Sequence, residues 1–344
     1  MYQISVAGHF CVDLTPQLPA WAGLTPGQLF DIGPLGVKLG GCVANTGLSL
    51  LDLGADVELQ GTVGDDWLGT LGTQLLAAAS EGRWAPDIVA GAGTSYSIVV
   101  EPGGADRTFW HHTGVNAIFD AARVRTDTDL LHFGYPPLLP SVVLGGPGPL
   151  VSLFERAHLV GATTSLDLAV VDPDGPVGKL DWGALLDAIL AVADVVSPSV
   201  DDLRSMLPID APPSLELAQE LSEELLRRGA AVALVTAGEH GLVLRAGGAE
   251  RLRRGGRVLA ALAGTWAGAR VVAPPLQLDG IATSTGAGDA ASAGLLYGLA
   301  AGLTPADSVA LTAAASVVVM SGDRPTPSAV AKFDPGLARL FGTK

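Results

Sequence analysis

The sequence predicts an α/β protein, a mostly parallel sheet in three layers with helices on both faces, plus a small separate β element. Three observations carry this. Short apolar runs recur along the chain ("YQISVAG", "VELQGTVG", "LLHFGY", "TTSLDLAV", "DVVSPS", "VALVTAG"), each suited to a strand buried on both faces. Between them Ala and Leu recur at helical spacing in "WLGTLGTQLLAAASEG", "LELAQELSEELLRRG" and "DAASAGLLYGLAAG", the last two running into a glycine suited to a C-cap. The alternation breaks at residues 94–114, "TSYSIVVEPGGADRTFWHHTG", where two β-like runs flank a Gly-rich turn with no helix between them, the pattern of an antiparallel hairpin. A second irregular stretch, residues 14–35, is rich in Pro and Gly and holds Trp21; the two stretches are expected either to pair into a small projecting sheet or to be separate surface excursions.

Bulk properties limit what such a fold does. At 344 residues, 48% hydrophobic and 16% charged, the chain has enough apolar material for one large core, and no linker long enough to separate two domains interrupts it. A formal charge of -15, from 35 acids against 20 bases, argues against nucleic acid and anionic lipid as partners. Cys11 and Cys42 are too few for a disulfide framework and lack zinc spacing, so both are expected reduced. The opening "MYQISVAGHF" lacks the basic start and apolar run of a secretory signal, which points to a cytoplasmic protein. Two uncharged stretches, 133–154 with five prolines and the Ala/Gly-rich 290–306, are expected as buried or loop segments rather than membrane spans.

The residues suited to chemistry fall in order along the chain. Asp13, in "AGHFCVDLTP", follows the first strand, where α/β sheets place ligands. In "LGGCVANTG", Gly40 and Gly41 suit close approach of a ligand and Asn45 offers both a donor and an acceptor, although a glycine pair and an Asn before a helix are also ordinary turn chemistry. Phe109, Trp110, Arg107, His111 and His112 lie in the hairpin; adjacent strand positions face opposite ways, so only one of each neighbouring pair can meet a ligand. Asp167 and Asp172 follow a strand, with turn formation the plainer role.

"TSTGAGDAASAG", residues 283–294, is the densest signal. P-loop, dinucleotide and protein-kinase signatures are absent, so a phosphate handled here needs another device. Gly286, Ala287 and Gly288 leave their backbone N–H groups open to an anion, and the following helix turns its positive end to the same place. Asp289 would stand in the first turn, positioned to accept a proton from an attacking hydroxyl. The plainer alternative is a tight turn followed by a favourable first-turn acid.

Taken together, "GGCVANTG", then "GTVGDDWLG", then "TSTGAGDAASAG", in that order and across nearly the whole chain, resemble the PfkB family of carbohydrate kinases with its ribokinase-like fold. The resemblance implies one kinase domain over residues 1–344, with a β lid formed by about 14–35 and 94–116 that also suits a homodimer interface. It implies an ATP-dependent transfer of the γ-phosphoryl group to a hydroxyl of a sugar or sugar-like substrate, with Mg²⁺. Asp289 matches the family's base, and Gly286, Ala287 and Gly288 its anion hole. Asp13, Gly40, Gly41 and Asn45 match sugar-binding positions, and "LVTAGEHGLVL" places Thr236, Gly238 and Gly241 at the nucleotide. The chain departs from the family where Thr283 replaces an Asp tied to a monovalent-cation site, which leaves potassium dependence open. In "SVDD", Ser199 replaces the Asn of the family's N-x-x-E motif, and Asp202 takes the place of the Glu that helps hold the Mg²⁺ water shell. Two alternatives remain at this point: a nucleoside kinase of the same family, and a catalytically weak sugar- or nucleotide-binding protein, the latter opposed by the intact Asp289.

Overall fold

The computed structural model of the chain describes residues 1–18, 26–84, 86–100, 108–276, 278, 280 and 282–341. Numbered along the chain, the strands among these are β1 (Ile4–Gly8), β2 (Cys11–Pro16), β3 (Leu35–Gly40), β4 (Val57–Gln60), β5 (Thr62–Gly64), β6 (Asp87–Val89), β7 (Tyr96–Val100), β8 (Thr108–His112), β9 (Leu130–Gly134), β10 (Thr163–Asp167), β11 (Val195–Val196), β12 (Val232–Thr236), β13 (Leu242–Ala246) and β14 (Arg270–Ala273).

Eight of them form the main sheet in the order β14-β13-β12-β11-β10-β9-β1-β4. The pairs from β4 to β12 are parallel, and β13 runs antiparallel to both β12 and β14. Alternate strand residues feed two cores, one on each face. Ile4, Val6, Leu130, Val232 and Leu234 pack on one side with Leu50, Leu296 and Trp266, while Ala7, Leu131, Phe133, Ala233 and Val235 pack on the other with Phe154 and Trp182. This is why the runs read as continuously apolar, and it gives the expected helix–sheet–helix layering. Of the described tryptophans, Trp84, Trp182 and Trp266 are core, whereas Trp67 and Trp110 are exposed.

One expected strand is divided. "VELQGTVG" supplies β4 to the main sheet, then turns at Gly61 and supplies β5, which pairs with β6 instead. A side chain at Gly61 would sit 3.0 Å from the Trp84 ring.

The small sheet has the order β3-β2-β7-β8. The hairpin is present as antiparallel β7 and β8, and β2 runs parallel to β7. Its partners lie at the ends of the irregular stretch rather than within it: β2 starts at Cys11, and β3 ends at Gly40. Residues 19–25 and 101–107, with Trp21 and Arg107, lie outside the described residues. Asp66 ties this sheet to the body. Its carboxylate caps the helix Trp67–Ala79 at Gly69 N (2.8 Å) and accepts from Thr94 N (2.9 Å) and Thr94 Oγ1 (2.6 Å), which gives "GDDWLG" a structural task.

The stretch 133–154 holds the end of β9, a 3₁₀ turn and two helices, Pro140–Val143 and Gly148–Leu159; residues 290–306 lie mostly in the buried helix Ala287–Ala301. Among the described residues no helix is long and apolar enough to cross a membrane.

Candidate active site

The chain leaves β1 for β4 on one side of the sheet and then for β9 on the other, so the strand order reverses at β1 and β9, where open α/β sheets leave a crevice beyond their carboxyl ends. Gly8, Gly134 and Asp167 lie side by side in the last register row there. His9 and Tyr135 come next in sequence. Tyr135 takes a left-handed conformation, φ 67° and ψ 50°, which is uncommon for a bulky residue and carries strain.

The helix Ala287–Ala301 brings its N-terminus to this crevice. Gly286 caps it at φ 81°, a conformation a side chain would oppose. Asp289 is 3% exposed and is held by two donors, Thr46 Oγ1 to Oδ1 at 2.7 Å and Asn45 Nδ2 to Oδ2 at 3.1 Å. Burial raises its pKa, and the Tyr135 hydroxyl nearby, with Thr46 and Asn45, opposes that rise. The first-turn N–H groups of a helix have no intrahelical acceptor. Here Ala287 N–H points back to the Ser284 carbonyl at 3.4 Å, and no described atom lies within 4 Å of where a side chain at Gly288 would begin. Thr283 uses its hydroxyl locally, accepting from Thr285 N at 3.1 Å.

Asp13 is not a loop residue. It is buried within β2, opposite Lys38 of β3 and Ser97 of β7, and accepts from the Cys11 thiol at 3.4 Å. Burial raises its pKa, and the Asp289 charge adds to the rise. The glycines of "GGC" have a different immediate cause from direct ligand approach: a side chain at Gly40 would sit 2.5 Å from the Asp13 carboxylate, and one at Gly41 2.6 Å from His9 Nδ1. Gly41 also has φ 83° and stands directly before the helix Cys42–Asp52, which carries Asn45 and Thr46.

A second group of polar residues adjoins the first. The Ser292 hydroxyl lies 3.0 Å from Asp167 Oδ2 and 2.8 Å from Ser197 Oγ. Burial, then the charges of Asp289 and Asp202, pushes the Asp167 pKa well up. Asp202 sits in a capping box: its Oδ2 accepts from Ser199 N at 2.8 Å and Ser199 Oγ at 2.7 Å, and its own N–H donates back to Ser199 Oγ at 3.0 Å. Ser199 thus orients the carboxylate of "SVDD". Among the described residues no group of three or more His, Cys, Asp or Glu could hold a metal ion by itself. Thr236, at the end of β12, forms a bridge with Ser199, and Gly238 opens the following turn. Gly241 is fixed by packing, since a side chain there would meet the Ala273 carbonyl at 2.2 Å.

A site at the sheet's reversal, with a buried acid in the first turn of a glycine-led helix, is the arrangement the three motifs imply. The chain matches the profile described as "pfkB family carbohydrate kinase" over residues 3–328. It belongs to the PfkB family of carbohydrate kinases. Solved structures agree at the level of fold. The ribokinase of Arabidopsis thaliana, determined with ribose and ATP, superposes with a TM-score of 0.73 at 14% identity, covering 100% of this chain and 99% of that one. The nucleoside kinase of Burkholderia thailandensis, determined with inosine, gives 0.69 at 18% identity over 97% of each chain. A nucleoside kinase from Methanocaldococcus jannaschii gives 0.69 at 17%, covering 97% of this chain and 98% of that one. A search of curated protein sequences returned no match. PfkB membership sets the reaction class, ATP-dependent phosphorylation of a carbohydrate-type hydroxyl.

Sequence reasoning missed Thr46, Tyr135, Ser292 and His9. Thr46 stood beside Asn45 in a motif already singled out, and Tyr135 ended an expected strand before two prolines; neither position announces a partner more than 150 residues away.

Proposed function

We propose that this PfkB kinase uses Asp289 as the base that takes the proton from a sugar hydroxyl as it attacks the γ-phosphoryl group of ATP, with the backbone of Gly286, Ala287 and Gly288 as the anion hole. The observation that carries the reading is Asp289 itself: a buried acid in a helix's first turn, with Thr46 on one carboxylate oxygen and Asn45 on the other. A carboxylate fixed this way needs little reorganisation as it accepts a proton. The N–H groups ahead of it would meet the charge that grows on the transferring group, at roughly 3 kcal/mol per well-placed donor.

Asp13, Gly40, Gly41 and Asn45 would form the sugar side, through the Asp13 carboxylate and the Asn45 amide. Thr236 and Gly238 would line the nucleotide side, reached from Asp289 through Asp202 and Ser199. The carboxylates fit Mg²⁺: Asp202 keeps one oxygen outside its capping box, and Asp167, Asp202 and Asp289 act on one another electrostatically, which favours a cation held through waters and phosphates rather than in an all-protein cage. Bound there, Mg²⁺ would neutralise phosphate charge. The sheet β3-β2-β7-β8 is proposed as a lid that excludes water, and as the face through which a homodimer would form.

A nucleoside as acceptor is the second reading, supported by Phe109. It shares the face of β8 that carries His111, is 45% exposed, and could stack on a base, whereas Trp110 faces the other way. Release of ADP from Mg-ATP over a panel of pentoses, hexoses and nucleosides tests both. Turnover is expected with free sugars; turnover confined to nucleosides would replace the first reading with the second, and no acceptor-dependent ADP would remove both.

A further inference from the structure

Asp13, Ser97 and His111 form one row across the small sheet, on the same face of β2, β7 and β8. The Ser97 hydroxyl lies 3.1 Å from His111 Nδ1, and beside it Asp13 accepts from the Cys11 thiol at 3.4 Å. With Nδ1 paired to Ser97, Nε2 is the ring nitrogen left over, a donor in one neutral tautomer and an acceptor in the other. It is buried and has no hydrogen-bond partner.

His9 stands beside it. The two ring centroids are 5.3 Å apart, and the His9 ring is 5.9 Å from that of Tyr135, whose hydroxyl acts on the Asp289 charge. His9 is 2% exposed, and neither of its ring nitrogens has a partner. Buried unpaired polar atoms are costly, and here three are gathered beside Tyr135. Burial keeps both rings neutral, His9 well below its usual pKa and His111 at about 4. The polar groups around them are Asp13 and Asp289, both acidic, with Ser97, Tyr135 and His112, whose charge adds to the lowering at His111. Lys38, the cation opposite Asp13, is exposed and acts on the Asp13 charge.

We propose that His111 and His9 form a specificity subsite for an uncharged polyol, with His111 Nε2 hydrogen-bonding one substrate hydroxyl and His9 a neighbouring one. A sugar acid is disfavoured there: a hydroxyl both donates and accepts and so serves either tautomer of an imidazole, whereas a carboxylate only accepts and would meet two acids without a cationic imidazole. This rests on the kinase reading for the orientation of the substrate, but not for its binding.

The test compares the wild-type protein with His111→Phe, which keeps a ring and removes its hydrogen-bonding nitrogens. Ribose, fructose, glucose and myo-inositol serve as neutral acceptors, gluconate as the anionic one, with a monodeoxy series of the best acceptor. The expected result is a KM for the neutral acceptor raised by about tenfold in His111→Phe, with kcat and the KM for ATP little changed. One monodeoxy analogue should be discriminated against by wild type and no longer by the variant. An unchanged acceptor KM, or gluconate preferred over every neutral acceptor, overturns the proposal while leaving the kinase intact. If no acceptor is turned over, calorimetric binding decides: neutral polyol bound by wild type and weakened in His111→Phe keeps the subsite though the kinase reading falls, and no polyol binding overturns it. Should His111→Phe fail to fold, the monodeoxy series on the wild-type protein carries the test, and equal use of every analogue overturns the subsite.

Discussion

Asp289 is held between two opposing influences: burial, which raises its pKa, and the nearby Thr46, Asn45 and Tyr135, which lower it. The balance sets where a base at this position would work. It accepts a proton only when ionised, so activity should fall as pH drops through its pKa. Thr46→Val keeps the shape of the side chain and removes the 2.7 Å bond. The pKa should then rise further, and the acid limb of the kcat/KM profile should move to higher pH, with kcat at neutral pH reduced several-fold; an unmoved limb would mean that the limb reports another group. Asp289 was legible from its "GAGD" setting, but Thr46 was not, because its partner comes from a helix 243 positions away in sequence. His111 could be separated from His112 only once the pairing of β7 and β8 fixed which face each side chain takes.

The helix Ala287–Ala301 shows why its sequence is so poor in large side chains. It is buried along nearly its whole length and packs on Cys42–Asp52 and Pro305–Met320. At Gly294 a β-carbon would stand 2.6 Å from the Thr312 Cα, so the two helix backbones are in close approach there. This makes a prediction in which two effects have opposite signs. Gly294→Ala gains about 1 kcal/mol of helix propensity, whereas forcing packed backbone apart costs about 1–3 kcal/mol. The clash is with backbone that cannot turn aside, so a net loss is expected, read as a lower urea midpoint at unchanged slope. A stabilised variant would show that the helices separate freely. Because the same helix presents Asp289 and Ser292, a shift between the two should also lower kcat. The sequence showed the small residues and the C-terminal Gly302; it did not show that Pro305–Met320 is what they accommodate.

Across the molecule, the site is assembled by topology. β1, β9 and β10 end together at the reversal of strand order, β2, β7 and β8 add the row of Asp13, Ser97 and His111, and the helix from Ala287 closes the arrangement with Asp289. Apolar periodicity made the layered sheet legible, since both faces of each strand are buried. It could not place β5, whose short run was indistinguishable from a continuation of β4, nor the ends of β2 and β3, where the signal lies in partners rather than pattern. The motifs made the two acids of the site legible as separate stretches; that Asp13 and Asp289 feel one another's charge is a property of the fold alone. Whether this shared site transfers a phosphoryl group with Asp289 as base is decided by the kcat of Asp289→Asn on the best acceptor, with acceptor binding measured alongside. A fall of about 10²–10⁴-fold in kcat with binding retained is expected; near-normal turnover by Asp289→Asn would remove Asp289 from that role.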